Sequence, residues 1–242
     1  MNISHKYKTI WWAPERCGTT TTSKIFNNFE FMYYLDSEER TLSIDNQGRP
    51  YQSHNINISP KYKDYKIICN IRNPYDRMLG IYLNFTSIGR TSVYTKTNNE
   101  FFKDKFSYFV EEVFTYKKIN SKLKEPIGNK GILINYIEKY NFNTQLPHQY
   151  IRMENMIEDL EKIDFISQSE MFKTGQLRNY IENSPHHNIR PYQFNTMYDL
   201  KTAKLVYEHN KKHFILFGYD PFSFTSEKLS NEEKMNFLHG IL

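Results

Sequence analysis

Six consecutive residues, Arg16-Cys17-Gly18-Thr19-Thr20-Thr21, bring together a permanent cation, a glycine and a run of hydroxyls. Residues of these types in this order can bind an anion. Gly18 tolerates positive φ and lets the backbone approach a ligand closely. A helix starting just after it leaves its first N–H groups without intrahelical acceptors. With the hydroxyls of Thr19, Thr20 and Thr21, those groups form a ready anion site, to which Arg16 adds its charge. Arg72 is a second candidate, because a guanidinium at a strand end can hold a phosphate bidentately. Its plainer alternative is a pair with Asp76. The adjacent His186-His187 reads as a solvated loop rather than a metal site, since no carboxylate or cysteine lies at ligand spacing.

The elements that must position these residues follow from the pattern around them. Thr9 to Trp12 is β-prone and breaks at Ala13-Pro14, so the first run reads as strand, tight loop and helix start. Lys66 to Ile71, KIICNI, suits a buried parallel strand. Arg72-Asn73-Pro74 then opens a helix with proline in its first turn. Tyr75, Met78, Leu79, Tyr82 and Leu83 form one apolar stripe along that helix. Glu30 to Pro50 is polar and turn-rich, suited to loops or short paired strands. Further helices are predicted near 99–118, 153–163, 168–182 and 199–213, the last capped by Asp199. Ser230-x-x-Glu233 makes a capping box for a final short helix. Strands separated by helices predict an α/β fold: one domain with a central parallel sheet flanked by helices and ligands at the strands' carboxyl ends. The single domain spans 1–242, with a motif-bearing core over 7–90, a helical part over 98–220 and a tail over 221–242.

Composition sets bounds rather than a function. At 242 residues the chain is long enough to bury a sizeable core, and with two alanines against 16% aromatics, Tyr and Phe carry much of the packing. A net charge of +5 fits an anionic ligand. No lysine or arginine run is dense enough to argue for nucleic acid. Two cysteines, Cys17 and Cys69, make no disulfide framework. The segment MNISHKYK lacks an apolar targeting core, and no stretch approaches the length of a membrane span. The expectation is a soluble, cytoplasmic protein without a membrane anchor.

Two nucleotide loops compete for residues 14–21. The Walker loop needs two glycines four apart and then Lys-Ser/Thr; here the second glycine is absent and the lysine is displaced to Lys24. Pro14-Glu15-Arg16-Cys17-Gly18-Thr19-Thr20 resembles instead the 5′-phosphosulfate loop of sulfotransferases that use PAPS (3′-phosphoadenosine 5′-phosphosulfate). Tyr65 to Phe85 resembles the same family's 3′-phosphate motif, an apolar strand followed by Arg-Asp/Asn-Pro and an acidic-Arg pair. Arg72, Asn73, Pro74, Asp76, Arg77 and Tyr82 match in place. The family's serine falls on Gly80, so that hydroxyl contact is missing; Asn84 and Ser87 follow on the same helix face. More loosely, Gln149 to Asp159-Leu160 and Tyr198 to Tyr219 resemble the family's later segments, including a closing helix and a Phe-Gly-Tyr strand. The resemblance covers roughly residues 7–220.

The resemblance implies a P-loop-NTPase-like sulfotransferase fold and transfer of a sulfuryl group from PAPS to an acceptor hydroxyl, leaving PAP, without a metal. It is greatest to the carbohydrate branch that includes the heparan sulfate 2-O-sulfotransferases, which implies a glycan acceptor. It assigns 5′ contacts to Arg16, Cys17, Gly18, Thr19, Thr20 and Thr21, and 3′ contacts to Arg72 and the Gly80 position. It places Arg190, in Asn188-Ile189-Arg190-Pro191-Tyr192, where a basic loop covers the nucleotide; its alternative is a surface arginine. A histidine before the 3′-phosphate strand is the base in that branch, which points to His54; its alternative is a loop histidine bonded to backbone. Two rival readings stand beside this one. A P-loop small-molecule kinase would need Mg²⁺ and a Walker lysine, and a non-catalytic nucleotide-binding protein is encouraged by Gly80.

Overall fold

The computed structural model describes residues 2–14, 16–35, 38–40, 60–85, 99–115, 147–183 and 193–239. These fall into two compact units, one from Met1–Arg72 with Tyr140–His186 and one from Asn73–Lys139 with His187–Leu242. His54, Arg190, His186, His187 and Ser87 lie outside the described residues.

The first unit is α/β. Its strands are β1 (Asn2–Ser4), β2 (Thr9–Trp12), β3 (Met32–Leu35), β4 (Glu38–Arg40), β5 (Lys66–Ile71) and β6 (Gln149–Arg152). They form one sheet in the order β4-β3-β1-β2-β5-β6. The expected wholly parallel sheet is corrected here: only β2–β5 and β5–β6 are parallel, while β1–β2, β1–β3 and β3–β4 are antiparallel. The cause is local. Residues His5–Lys8 form a turn closed by Lys8 N–H donating to His5 O at 3.3 Å. So short a link can join only antiparallel neighbours, because parallel strands need a long crossover. Asn2-Ile3-Ser4 is too short for its alternation to announce a strand.

Helix α1 (Thr19–Phe26) follows β2, and the short helices α4 (Met156–Leu160), α5 (Asp164–Ser167), α6 (Glu170–Lys173) and α7 (Gln176–Asn183) follow β6. Their apolar residues join Trp11, Ile68 and Ile151 in one core that includes Ile25, Phe26, Leu160, Ile166 and Leu177. The Trp11 and Phe26 rings stack at 4.8 Å. The longer helices expected over 153–163 and 168–182 are broken into these pieces. Ser169 caps α6 by accepting from Phe172 N–H, and Gly175, at φ 74°, breaks the chain before α7.

The second unit is helical in its described residues: α2 (Pro74–Phe85), α3 (Asn99–Thr115), α8 (Leu200–Phe217) and α9 (Asn231–His239). The predicted stripe Tyr75, Met78, Leu79, Tyr82 and Leu83 is buried with Phe106, Val110, Val206, Phe214 and Phe237. Asn73 caps α2, its Oδ1 accepting from Tyr75 N–H at 3.0 Å. Asp199 caps α8 through Thr202 N–H at 2.7 Å. The Ser230–Glu233 box forms in both directions, at 2.7 and 3.2 Å. The expected Phe-Gly-Tyr strand is not formed: α8 runs through Phe217, and Gly218 ends it at φ 68° with its N–H on Phe214 O. No helix among the described residues is long and apolar enough to cross a membrane.

After β6 the first unit is pinned by Asp159, which is 4% exposed. Arg152 donates to it through Nε at 2.8 Å, Nη2 at 2.7 Å and its backbone N–H at 2.9 Å, and Lys162 Nζ adds a bond at 2.9 Å. Burial pushes the Asp159 carboxyl up, but the bonds from Arg152 and Lys162 outweigh it and hold the group below its ordinary range. A depressed folded value means the carboxylate stabilises the fold fully above its ordinary value and stops doing so as pH falls through the folded one. Asp159→Asn should therefore lower stability at pH 7 by about 1.5–3 kcal/mol, the scale of hydrogen bonds to charged groups. In urea unfolding the gap to the wild type should close as the pH is taken below the carboxylate range. A gap that stays constant into acid would remove ionisation from the account.

Candidate functional site

The site is built where β2 ends. Pro14 to Cys17 turns back on itself, Cys17 N–H donating to Pro14 O at 3.1 Å. Arg16 takes φ 65° and Gly18 φ 69°, both left-handed. For Gly18 this conformation costs nothing; for Arg16 it is a local strain that the surroundings must hold in place.

What holds it is a set of donors under the loop. Arg72 Nη1, just past β5, donates to Arg16 O at 3.0 Å. Asn70 Nδ2 donates to Cys17 O at 2.8 Å. Thr22 donates twice to Gly18 O, through N–H and Oγ1, each at 3.1 Å. The three loop carbonyls are thus all drawn onto the protein. The N–H groups of Gly18, Thr19, Thr20 and Thr21, and the three threonine hydroxyls, have no acceptor among the described residues. Helix α1 has no side-chain cap and no acidic residue in its first turn. Its positive dipole end and these donors thus fall together, with Thr19 buried and Thr20 and Thr21 half-buried, an arrangement suited to a phosphate, sulfate or sulfonate.

The predicted residues divide accordingly. Arg16, Gly18, Thr19, Thr20, Thr21 and Arg72 are brought to one edge of the sheet. Cys17 is there too, but its thiol is fully buried and its N–H and C=O are engaged within the loop, so it shapes the site instead of facing it. Cys69 is likewise buried, and burial first, then the Cys17 thiol, pushes its thiol well up, so it stays protonated at neutral pH. Both cysteines are free. Gly80 sits inside α2 and is buried. Among the described residues no group of His, Cys, Asp and Glu could hold a metal ion.

Two residues go unnoticed in the sequence. Asn70 is wholly buried in β5, and its Oδ1 accepts from Trp11 Nε1 at 2.9 Å while Nδ2 serves Cys17 O and Thr22 Oγ1. One signal could have found it: a lone amide in the apolar run KIICNI must find partners once buried. Met153, just after β6, lies against Gly18, where an added Cβ would overlap its Sδ and Cε. No local pattern announces that contact.

Gly18→Ala meets two obstacles, the left-handed φ and the Met153 thioether. The first costs about 1–2 kcal/mol for a residue with a Cβ. Gly18→Ala should melt lower than wild type, and adding Met153→Ala should recover the steric part while leaving the backbone part. Thermal unfolding of the two variants reads this directly; an equal loss in both would show that Met153 does not limit the space. No protein-family model matches the chain, and no solved structure matches it.

Proposed function

We propose that the chain is a PAPS-dependent O-sulfotransferase that moves a sulfuryl group to a carbohydrate hydroxyl. The observation that carries the reading is the cradle at the start of α1, where unpartnered N–H groups and threonine hydroxyls stand beside Arg16. No lysine occupies the position at which a nucleoside-triphosphate loop requires one. Arg72, on the neighbouring strand end, is the second cation at the same edge. The parallel β2–β5 pair, each strand followed by a helix, supports a P-loop-like reading of the fold.

In this reading the 18–21 donors and Arg16 bind the sulfuryl and 5′-phosphate oxygens. Arg72 serves the 3′-phosphate, and Arg190 covers the nucleotide. The acceptor oxygen attacks sulfur in line, the bond from sulfur to the 5′-phosphate oxygen breaks, and PAP leaves. The acceptor's proton passes to His54. Positioning and stabilisation of the growing charge do most of the work, and the group that transfers needs no metal. The rival kinase predicts the opposite ligand preference.

PAP should raise the melting temperature and ATP with Mg²⁺ should not; the reverse result would favour the kinase. Labelled PAPS offered with a panel of glycans and small alcohols should then give acceptor-dependent PAP release. Arg16→Ala should stay folded and lose roughly 100-fold or more in turnover, the scale of one lost charge-stabilising donor. His54→Ala should keep PAP affinity while kcat falls by about 10²–10⁴, as for a lost general base. Collapse of PAP binding in the His54 variant would place that residue on the nucleotide instead.

A further inference from the structure

We propose that Asn70 is the positioning residue of the anion loop: it fixes which way the Cys17–Gly18 peptide faces and so aims the Gly18 N–H at the ligand. The inference rests on the reading of that loop as an anion cradle. A trans peptide holds its C=O and N–H on opposite sides of one plane. Because Asn70 Nδ2 holds Cys17 O at 2.8 Å, the Gly18 N–H points away from β5, where it meets no acceptor among the described residues. The amide cannot turn over. Trp11 Nε1 can only donate, and it holds Asn70 Oδ1 at 2.9 Å, which leaves Nδ2 for the loop. Asn70 is 0% exposed, so water does not take its place.

The same Nδ2 donates to Thr22 Oγ1 at 2.9 Å, and that hydroxyl in turn donates to Gly18 O at 3.1 Å. One buried amide thus holds the Cys17–Gly18 peptide directly and bears on the Gly18–Thr19 peptide through Thr22, whose backbone N–H also holds Gly18 O. With the Cys17–Gly18 peptide reversed, a carbonyl oxygen would face the ligand and repel it. No residue of this network touches the ligand, so its effect must pass through the loop.

Asn70→Asp tests this with almost no change of shape. The variant's carboxylate still accepts from Trp11 and Thr22, but it repels Cys17 O and attracts the Gly18 N–H, which favours the reversed peptide. Amide NMR spectra of wild type and variant are titrated with inorganic sulfate and, separately, with PAP. The wild-type Gly18 amide should move with both ligands, and the variant's affinity at pH 7 should fall about tenfold or more. Hydrogensulfate is a far stronger acid than a carboxylic acid, so sulfate stays a dianion from about pH 8 to about pH 4, and its affinity for the variant should recover as the carboxyl protonates and donates again. The wild type should show no such recovery, and a merely structural role would not produce it.

Affinity in a folded variant within about twofold of wild type would overturn the proposal. Should the variant fail to fold, the wild-type titration decides alone, because a Gly18 amide unmoved at saturating sulfate also overturns it. PAP binding no tighter than sulfate, with a moving Gly18 amide, would sink the PAPS reading and leave Asn70 in its role. Tight PAP binding with an unmoved Gly18 amide would do the reverse.

Discussion

The first unit depends on one pairing, the parallel register of β2 against β5 that sets Trp12 opposite Cys69. Parallel neighbours end at the same edge, so the loop after Trp12 and the residues after Ile71 emerge side by side. That places Arg16 and Arg72 together although 56 residues separate them. An antiparallel pairing would have sent the two cations to opposite ends of the sheet. The pairing is secured by burial on both faces. Trp11 and Ile68 face the α1 core, while Ile10 and Ile67 pack with Ile3 and Tyr62 on the other side. A slip of one residue would turn each set to the wrong face.

Given that edge, the loop's shape is a matter of where its carbonyls go. Backbone polar groups removed from water must be paired. Here the carbonyls of Arg16, Cys17 and Gly18 are held by Arg72, Asn70 and Thr22, while the N–H groups of Gly18 to Thr21 have no acceptor among the described residues. The left-handed residues Arg16 and Gly18 are what that alternation requires. A left-handed non-glycine residue costs about 1–2 kcal/mol. The Arg72 bond to Arg16 O, a charge-assisted one, is of comparable size at about 1.5–3 kcal/mol. Arg72 is therefore engaged with the loop through Arg16 O.

The sequence reveals what is local and periodic. The strand–loop–helix at Thr9 to Phe26, the KIICNI strand, the stripe on α2, the Asp199 cap and the Ser230–Glu233 box are each written in neighbouring residues. Long-range consequences are less visible. The antiparallel half of the sheet rests on a strand of three residues, Asn2–Ser4, whose only cue is the brevity of the turn after it. The breaks among α4 to α7 come from Ser169 and Gly175, which interrupt a pattern that otherwise reads as helix. At Phe214–Tyr219 the apolar run favoured a strand by resemblance, but Gly218 in the left-handed region is a helix stop. Asn70 and Met153 act on the loop from 53 and 135 residues away along the chain, beyond the reach of any spacing rule.

The start of α1 also differs from other helix starts in the same chain. Asn73, Ser169, Asp199 and Ser230 each lend a side-chain oxygen to the first turn of the helix that follows. Gly18 lends none. Glycine in place of a serine or threonine cap costs only about a few tenths of a kcal/mol, and α1 has no acidic residue in its first turn to meet its dipole end. The protein retains that deficit at the loop whose carbonyls it has drawn inward with such care for geometry. In the proposed reading an anion seated there would take the place of the side-chain cap and accept from donors that the loop already presents. Little reorganisation would then accompany binding, and most of the interaction would appear as affinity instead of being consumed in ordering the loop.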